Sequence, residues 1–242
     1  MEPIQLSSGP KERTINVNEI FGPTIQGEGP HTGQRVGFLR LAGCNLSCSW
    51  CDTPYSWDWD RFDRSKEVHP TKAQDLADTI RAMNVNRLII TGGEPMLQQW
   101  SIPTIRELTG CLIDIETNGT RMPTADVLDA VDLFCVSPKL SHASDPERLR
   151  IVKPALRAYA ELAKQGKTIF KFVAQRIDDF TEIDQLQADA DIPDHAIWIM
   201  PEGANATDMM NSAHALADAV IERGWNFTLR QHTLIWNTER AH

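Results

Sequence analysis

A chain of 242 residues, 41% of them hydrophobic, is long enough to bury a full core as one domain. A formal net charge of −9, with Lys and Arg scattered rather than clustered, argues against sequence-independent nucleic-acid binding, which needs a basic face. No apolar run approaches the roughly 18 residues of a membrane span, and five cysteines, an odd number, suit a reducing cytoplasm.

Residues 1–13 lack an apolar centre and read as a loose tail rather than a signal peptide; residues 14–242 read as a single domain. Strands are expected over Thr14–Phe21, Val36–Leu41, Arg87–Thr91, Leu112–Thr117, Leu133–Ser137, Thr168–Ala174, Ala196–Met200 and Asn226–Gln231. Helices are expected near Thr71–Met83, Met96–Leu108, Thr124–Val131, Pro146–Lys164, Asp178–Asp189 and Asn205–Arg223. Thr71 with Gln74 suggests a capping box, Gly166 and Gly224 stand where helices should stop, and Pro103 and Pro154 threaten a kink or a break. The stretch from Asp52 to Pro70, rich in Asp, Trp and Ser, is expected as a loop or short helix. Strand–helix alternation implies a parallel sheet with right-handed crossovers. Six or seven units are too few for a closed eightfold barrel. The expected fold is therefore α/β, an open, partial (β/α)6-type barrel with its chemistry at the carboxyl ends of the strands.

The strand Val36–Leu41 runs into Cys44-Asn45-Leu46-Ser47-Cys48-Ser49-Trp50-Cys51, three cysteines at spacing C-x3-C-x2-C. Three thiolates without a nearby fourth ligand suit an iron–sulfur cubane with one iron open. The alternative is a zinc loop that borrows a distant His or Cys. Cys111 and Cys135 lie in apolar runs and read as buried core thiols. Three other strands end in polar residues at the same sheet edge: Thr91-Gly92-Gly93-Glu94, Glu116-Thr117-Asn118 and Ser137-Pro138-Lys139. Glycines there allow close approach to a ligand, and Glu94 can accept from an ammonium group; taken alone, the stretch is also a tight turn. Arg40, inside an apolar strand, needs an anion, either a ligand carboxylate or a core acid.

The cysteine loop, with an aromatic residue before its last Cys, resembles that of the radical S-adenosylmethionine (SAM) enzymes. Glu19-Ile20-Phe21-Gly22-Pro23-Thr24-Ile25-Gln26-Gly27-Glu28-Gly29 and Cys51-Asp52-Thr53 narrow the resemblance to the 7-carboxy-7-deazaguanine synthases. The likeness runs in patches from about Asn18 to Trp236. It implies a 4Fe–4S cluster on Cys44, Cys48 and Cys51, and Mg2+ on Thr53, although Asp52-Thr53-Pro54 also reads as a plain turn. SAM would be held by Trp50, Cys51, Asp52, Gly92, Gly93, Glu94, Ser137, Pro138, Lys139, Met200, Pro201, Glu202 and Gly203; by itself, Lys139 also reads as a surface charge.

The implied substrate is 6-carboxy-5,6,7,8-tetrahydropterin, met by Ile25, Gln26, Gly27, Glu28, Arg40 (at its carboxylate), Thr91, Glu116, Asn118 and His232. The implied reaction begins with hydrogen abstraction at C6 by an adenosyl radical. It contracts the ring, loses ammonia and regenerates SAM, giving the 7-deazapurine precursor of queuosine. An electron donor such as flavodoxin and a homodimeric assembly belong to the same expectation. Two alternatives stand beside it: an activating enzyme for a glycyl-radical partner, and a non-catalytic iron–sulfur or zinc protein.

Overall fold

The structure, a computed structural model, describes residues 13–237 and 239–241. Among them nine strands form one sheet: β1 (Ile15–Ile25), β2 (Arg35–Leu41), β3 (His69–Thr71), β4 (Arg87–Gly92), β5 (Leu112–Thr117), β6 (Leu133–Val136), β7 (Thr168–Ala174), β8 (Ile197–Pro201) and β9 (Asn226–Phe227). Their order is β3-β1-β2-β4-β5-β6-β7-β8-β9. From β2 through β4 to β9 every neighbouring pair is parallel. The two ends do not pair, so the sheet is an open partial barrel.

The helices are α1 (Arg64–Glu67), α2 (Ala73–Ala82), α3 (Ile102–Thr109), α4 (Ala125–Ala130), α5 (Glu147–Arg150), α6 (Lys153–Ala163), α7 (Asp179–Ala190), α8 (Ala206–Glu222) and α9 (Gln231–Trp236). None is long and apolar enough to cross a membrane among the described residues. They cover the outer face of the sheet, where Leu39, Ile90, Ile115, Phe170 and Ile199 pack against Leu76, Ile105, Leu156, Phe180 and Leu216. The opposite face has two smaller apolar patches, Val36, Phe38 and Ile89 with Phe21, and Leu133, Cys135 and Ile169 with Trp198.

Several expectations are corrected. The first strand is longer than Thr14–Phe21 and antiparallel to β2, because only a 3-10 turn at Gly29–His31 separates them and a parallel return needs a much longer crossover. β3, unexpected, is a three-residue edge strand antiparallel to β1; Pro70 is tolerated there because an edge need not donate. The capping box does not form: α2 begins at Ala73 without a side-chain cap, and Thr71 Oγ1 donates to the His69 carbonyl at 2.9 Å. The expected Met96–Leu108 helix is a 3-10 segment, Pro95–Ser101, with a non-helical Gln98, followed by α3. The expected Pro146–Lys164 helix divides into α5 and α6, with Pro154 in the first turn of α6, where its missing N–H leaves nothing unpaired. The last strand shortens to β9, and α9 begins at Gln231. Of the expected tail, residues 1–12 lie outside the described residues; Arg13 stacks 3.8 Å from the centroid of the Trp100 ring.

Candidate active site

The carboxyl end of β2 delivers the cysteine loop, and neighbouring strand ends hold it in place. Ser47 gives its backbone N–H and its hydroxyl to Asp145, both at 3.0 Å. Cys44, Cys48 and Cys51 are free thiols on this one loop. Leu46 N–H lies 3.5 Å from Cys44 Sγ and Trp57 Nε1–H 3.3 Å from Cys51 Sγ, the kind of donors that tune cluster sulfurs. Burial pushes Cys44 up to about 11 and Cys48 to about 12, so the thiolates call for a cationic centre. Three soft thiolates, two of them facing N–H donors, are a set that fits an iron–sulfur cluster.

Gly92 ends β4 and Gly93 follows it, and their lack of a side chain is required by protein rather than by ligand. A Cβ at Gly92 would stand 2.2 Å from the Leu41 carbonyl oxygen, and one at Gly93 would stand 2.3 Å from that of Gly43. Two strand ends thus interlock against the cluster loop. Glu94 is 1% exposed; its Oε1 accepts from Met96 N–H (2.9 Å) and Thr117 Oγ1 (2.8 Å), and its Oε2 accepts from Asn118 N–H (2.7 Å). Burial raises its pKa, against those donors. Lys139 faces inward: its Nζ donates to Ser137 Oγ at 3.0 Å and sits 5.4 Å from the Trp50 ring centroid. Pro138 is buried beside it. Asn118 donates to Asn45 Oδ1 at 3.0 Å and accepts from Thr120, so it ties β5 to the cysteine loop. At the end of β8, Met200, Pro201 and Gly203 are buried and Glu202 half-buried. Arg230 connects this end to the cysteine loop, donating to the Gly203 carbonyl and, at 3.5 Å, to Asp52. Thr53 Oγ1 lies 3.8 Å from Cys51 Sγ.

Below this edge a polar row crosses the inner face. Glu19 pairs in register with Arg40, Arg40 with Thr91, and Glu116 with Cys135; Thr91 and Glu116 each follow the paired residues Ile90 and Ile115. Arg40 Nε donates to Glu19 Oε2 at 3.0 Å, so a core acid does hold the arginine. The loop after Ile25 folds over the row: Gln26 Nε2 donates to Glu116 Oε1 at 3.3 Å, and Glu28 pairs with Lys171 of β7. The open side of the barrel is closed here, Gly29 N–H donating to Thr228 Oγ1 and Gln231 N–H to the Gly27 carbonyl, each at 2.8 Å. His232 presses on Gly27 so closely that a Cβ there would stand 2.1 Å from its Nδ1.

Arg40 and Thr91 pair in register on the inner face, and the loop carrying Gln26, Gly27 and Glu28 folds over that face against Glu116 and His232, whereas Asn118 lies in the cluster-loop network. Glu19, Lys171, Asp145 and Arg230 were missed by the sequence. A charged residue inside the fully buried run Thr168–Ala174 was the available signal for Lys171. Cys135 is buried as expected, but on the inner face beside Lys171 and Glu116.

The Radical SAM superfamily profile matches residues 39–181. A 7-carboxy-7-deazaguanine synthase from Pyrobaculum aerophilum is 32% identical, covering 98% of this chain and 100% of that protein. One from Halobacterium salinarum is 30% identical over 96% of this chain and 95% of its own length. A solved structure, "Crystal structure of QueE from Escherichia coli", aligns with TM-score 0.68 at 25% identity, covering 90% of this chain and 95% of that one. With its cysteine loop, its open barrel and near-full-length relatives, the chain belongs to the 7-carboxy-7-deazaguanine synthase family of the radical SAM superfamily.

Proposed function

We propose that this enzyme converts 6-carboxy-5,6,7,8-tetrahydropterin to 7-carboxy-7-deazaguanine with loss of ammonia. The observation that carries the proposal is the row of Arg40, Thr91 and Glu116 beneath the cysteine loop, covered by Gln26 hydrogen-bonded to Glu116. An arginine whose terminal nitrogens are free among the described residues, beside side-chain donors and acceptors, supports this reading, since a carboxylated pterin needs both. An activating enzyme for a protein partner has no need of such a chamber.

In this reading Cys44, Cys48 and Cys51 hold the 4Fe–4S cluster. Gly92–Glu94, Ser137–Lys139 and Met200–Gly203 at the strand ends, with Trp50, Cys51 and Asp52, are the residues that would hold SAM. Bound there, cluster and SAM together supply one-electron reductive cleavage and a hydrogen-abstracting radical. The chain's own work is orientation. Arg40 holds the substrate carboxylate, Ile25–Glu28 and Glu116 hold the ring edge, and His232 closes the chamber. Glu94 braces the turn through its three donors, and Asn118 positions the cysteine loop. Thr53 offers a hydroxyl beside the cluster, suited to Mg2+, an ion that keeps its waters and takes substrate oxygens. A flavodoxin-type electron donor, a cytoplasmic location and assembly as a homodimer complete the proposal.

The test is anaerobic reconstitution of cluster and sulfide, followed by reduction with SAM and the tetrahydropterin. Formation of 7-carboxy-7-deazaguanine with one ammonia per turnover is expected. SAM cleavage without any deazapurine product would overturn the substrate assignment.

A further inference from the structure

Lys171 stands in β7, a strand buried at every residue, and its side chain is 7% exposed. Its ammonium carries three N–H donors. Among the described residues the hydrogen bond it makes goes to Glu28 Oε2, so the other two donors have no protein partner there. Glu28 is nearly as enclosed, at 13% exposure, and its Oε1 has no partner among the described residues.

Burial would raise the Glu28 carboxyl, yet Lys171, His232 and Arg230 bring it down to about 2, so it stays an acceptor. Burial would lower Lys171, yet Glu28, Cys135 and Glu116 lift it above the ordinary lysine value, so it stays a donor. Gln26, Glu28 and Glu116 line one small cavity of about 10 Å³. A fixed donor is thus paired with a fixed acceptor that lines this cavity.

We propose that Lys171 is a specificity-determining residue that, with Glu28, reads a ring edge on which an N–H stands beside a C=O. The ammonium donates to the carbonyl and the carboxylate accepts from the N–H. Resting on the functional proposal above, that edge is the 3-NH, 4-oxo side of the pterin. A 4-amino ring is refused because it turns a second donor toward the ammonium.

The experiment is anaerobic titration of the reconstituted, SAM-loaded holoenzyme with 6-carboxytetrahydropterin and with its 2,4-diamino counterpart. Wild type should favour the oxo compound by roughly 10- to 100-fold, the range for a hydrogen bond to a charged group. Lys171→Met should weaken the oxo compound and spare the diamino one, so that the ratio falls toward one. Lys171→Arg keeps charge and donors and should preserve the preference. Where Lys171→Met does not fold, judged by circular dichroism and cluster absorbance, the wild-type ratio and Lys171→Arg decide the matter. Equal binding of the two compounds by wild type overturns the inference. So does an undiminished ratio in folded Lys171→Met, or a lost preference in folded Lys171→Arg. If neither compound binds while SAM is still cleaved, the pterin assignment itself fails and takes this inference with it.

Discussion

Arg40→Ala removes a guanidinium that is 15% exposed and held through Nε by Glu19. Because the bond to Glu19 uses Nε, both terminal nitrogens stay available for a bidentate carboxylate. Losing that pair leaves the substrate anion desolvated without a partner, a penalty of about 2–5 kcal/mol, or roughly thirtyfold to several-thousandfold in Kd. The fold should tolerate the change. Glu19 keeps Arg240 and, at 3.4 Å, the Tyr55 hydroxyl, so a stability loss of about 1–2 kcal/mol is expected rather than the larger cost of an orphaned buried charge. Arg40→Lys retains the charge but not the planar fork and should fall between wild type and Arg40→Ala. The assay is anaerobic calorimetry with the substrate and with its decarboxylated analogue, alongside uncoupled SAM cleavage. The analogue should bind wild type and Arg40→Ala alike, and SAM cleavage should persist. Should Arg40→Ala instead strip the cluster or unfold the chain while the folded fraction binds substrate normally, Arg40 is solely the partner of Glu19.

Alanine at Cys44, Cys48 or Cys51 should abolish cluster absorbance and SAM cleavage, whereas Cys111→Ala should keep both; full iron and sulfide in any one loop variant would refute the ligand set. Gly93→Ala forces a Cβ to 2.3 Å from the Gly43 carbonyl oxygen and 2.9 Å from Cys44 Cβ, so iron content should drop and stability fall by about 1–3 kcal/mol; unchanged iron and Tm would contradict the interlock. In cluster-free protein, Cys44 and Cys48, raised by burial to about 11 and 12, should be alkylated about tenfold faster for each pH unit between 8 and 10. An unfolded-state thiol, with a pKa of about 8.5, instead approaches its plateau over that span. Mass-spectrometric labelling that is already flat at pH 9 would count against the burial argument.

Much of the architecture was legible because it rests on local pattern. Ile89-Ile90 and Phe134–Val136 are apolar runs that end in polar residues, as is Ile113–Ile115 but for Asp114, and such runs become strands of a buried parallel sheet with chemistry at their ends. The antiparallel entry of β1 was not legible, since direction depends on what lies between two strands and Gln26–Gln34 carries no helix signal. The capping box failed because Thr71 sits in the edge strand β3, and tertiary pairing overrides a short motif. In the site, residues on motifs came together as expected, while Lys171 and Glu19 escaped notice: their meaning lies in partners 143 and 21 positions away. Asn118 was placed at the right edge but tied to Asn45, a choice of hydrogen-bond partner that spacing does not encode.

The closure of the chamber also has a consequence for biosynthesis. Gly29 meets Thr228 across 199 positions, and Gln231 meets Gly27 across a slightly longer separation. Contacts of such long range must offset a large loop entropy and form late in folding. A nascent chain emerging from the ribosome can therefore assemble β2 and β4 through β7, and seat its first loop on Glu116 and Lys171, before the partners at Thr228 and beyond exist. Until α9 emerges, Gly27 and Glu28 lack His232 and Arg230, and the chamber stays open to water. Catalytic competence is thus expected to arrive with α9 rather than to grow in step with the length already made.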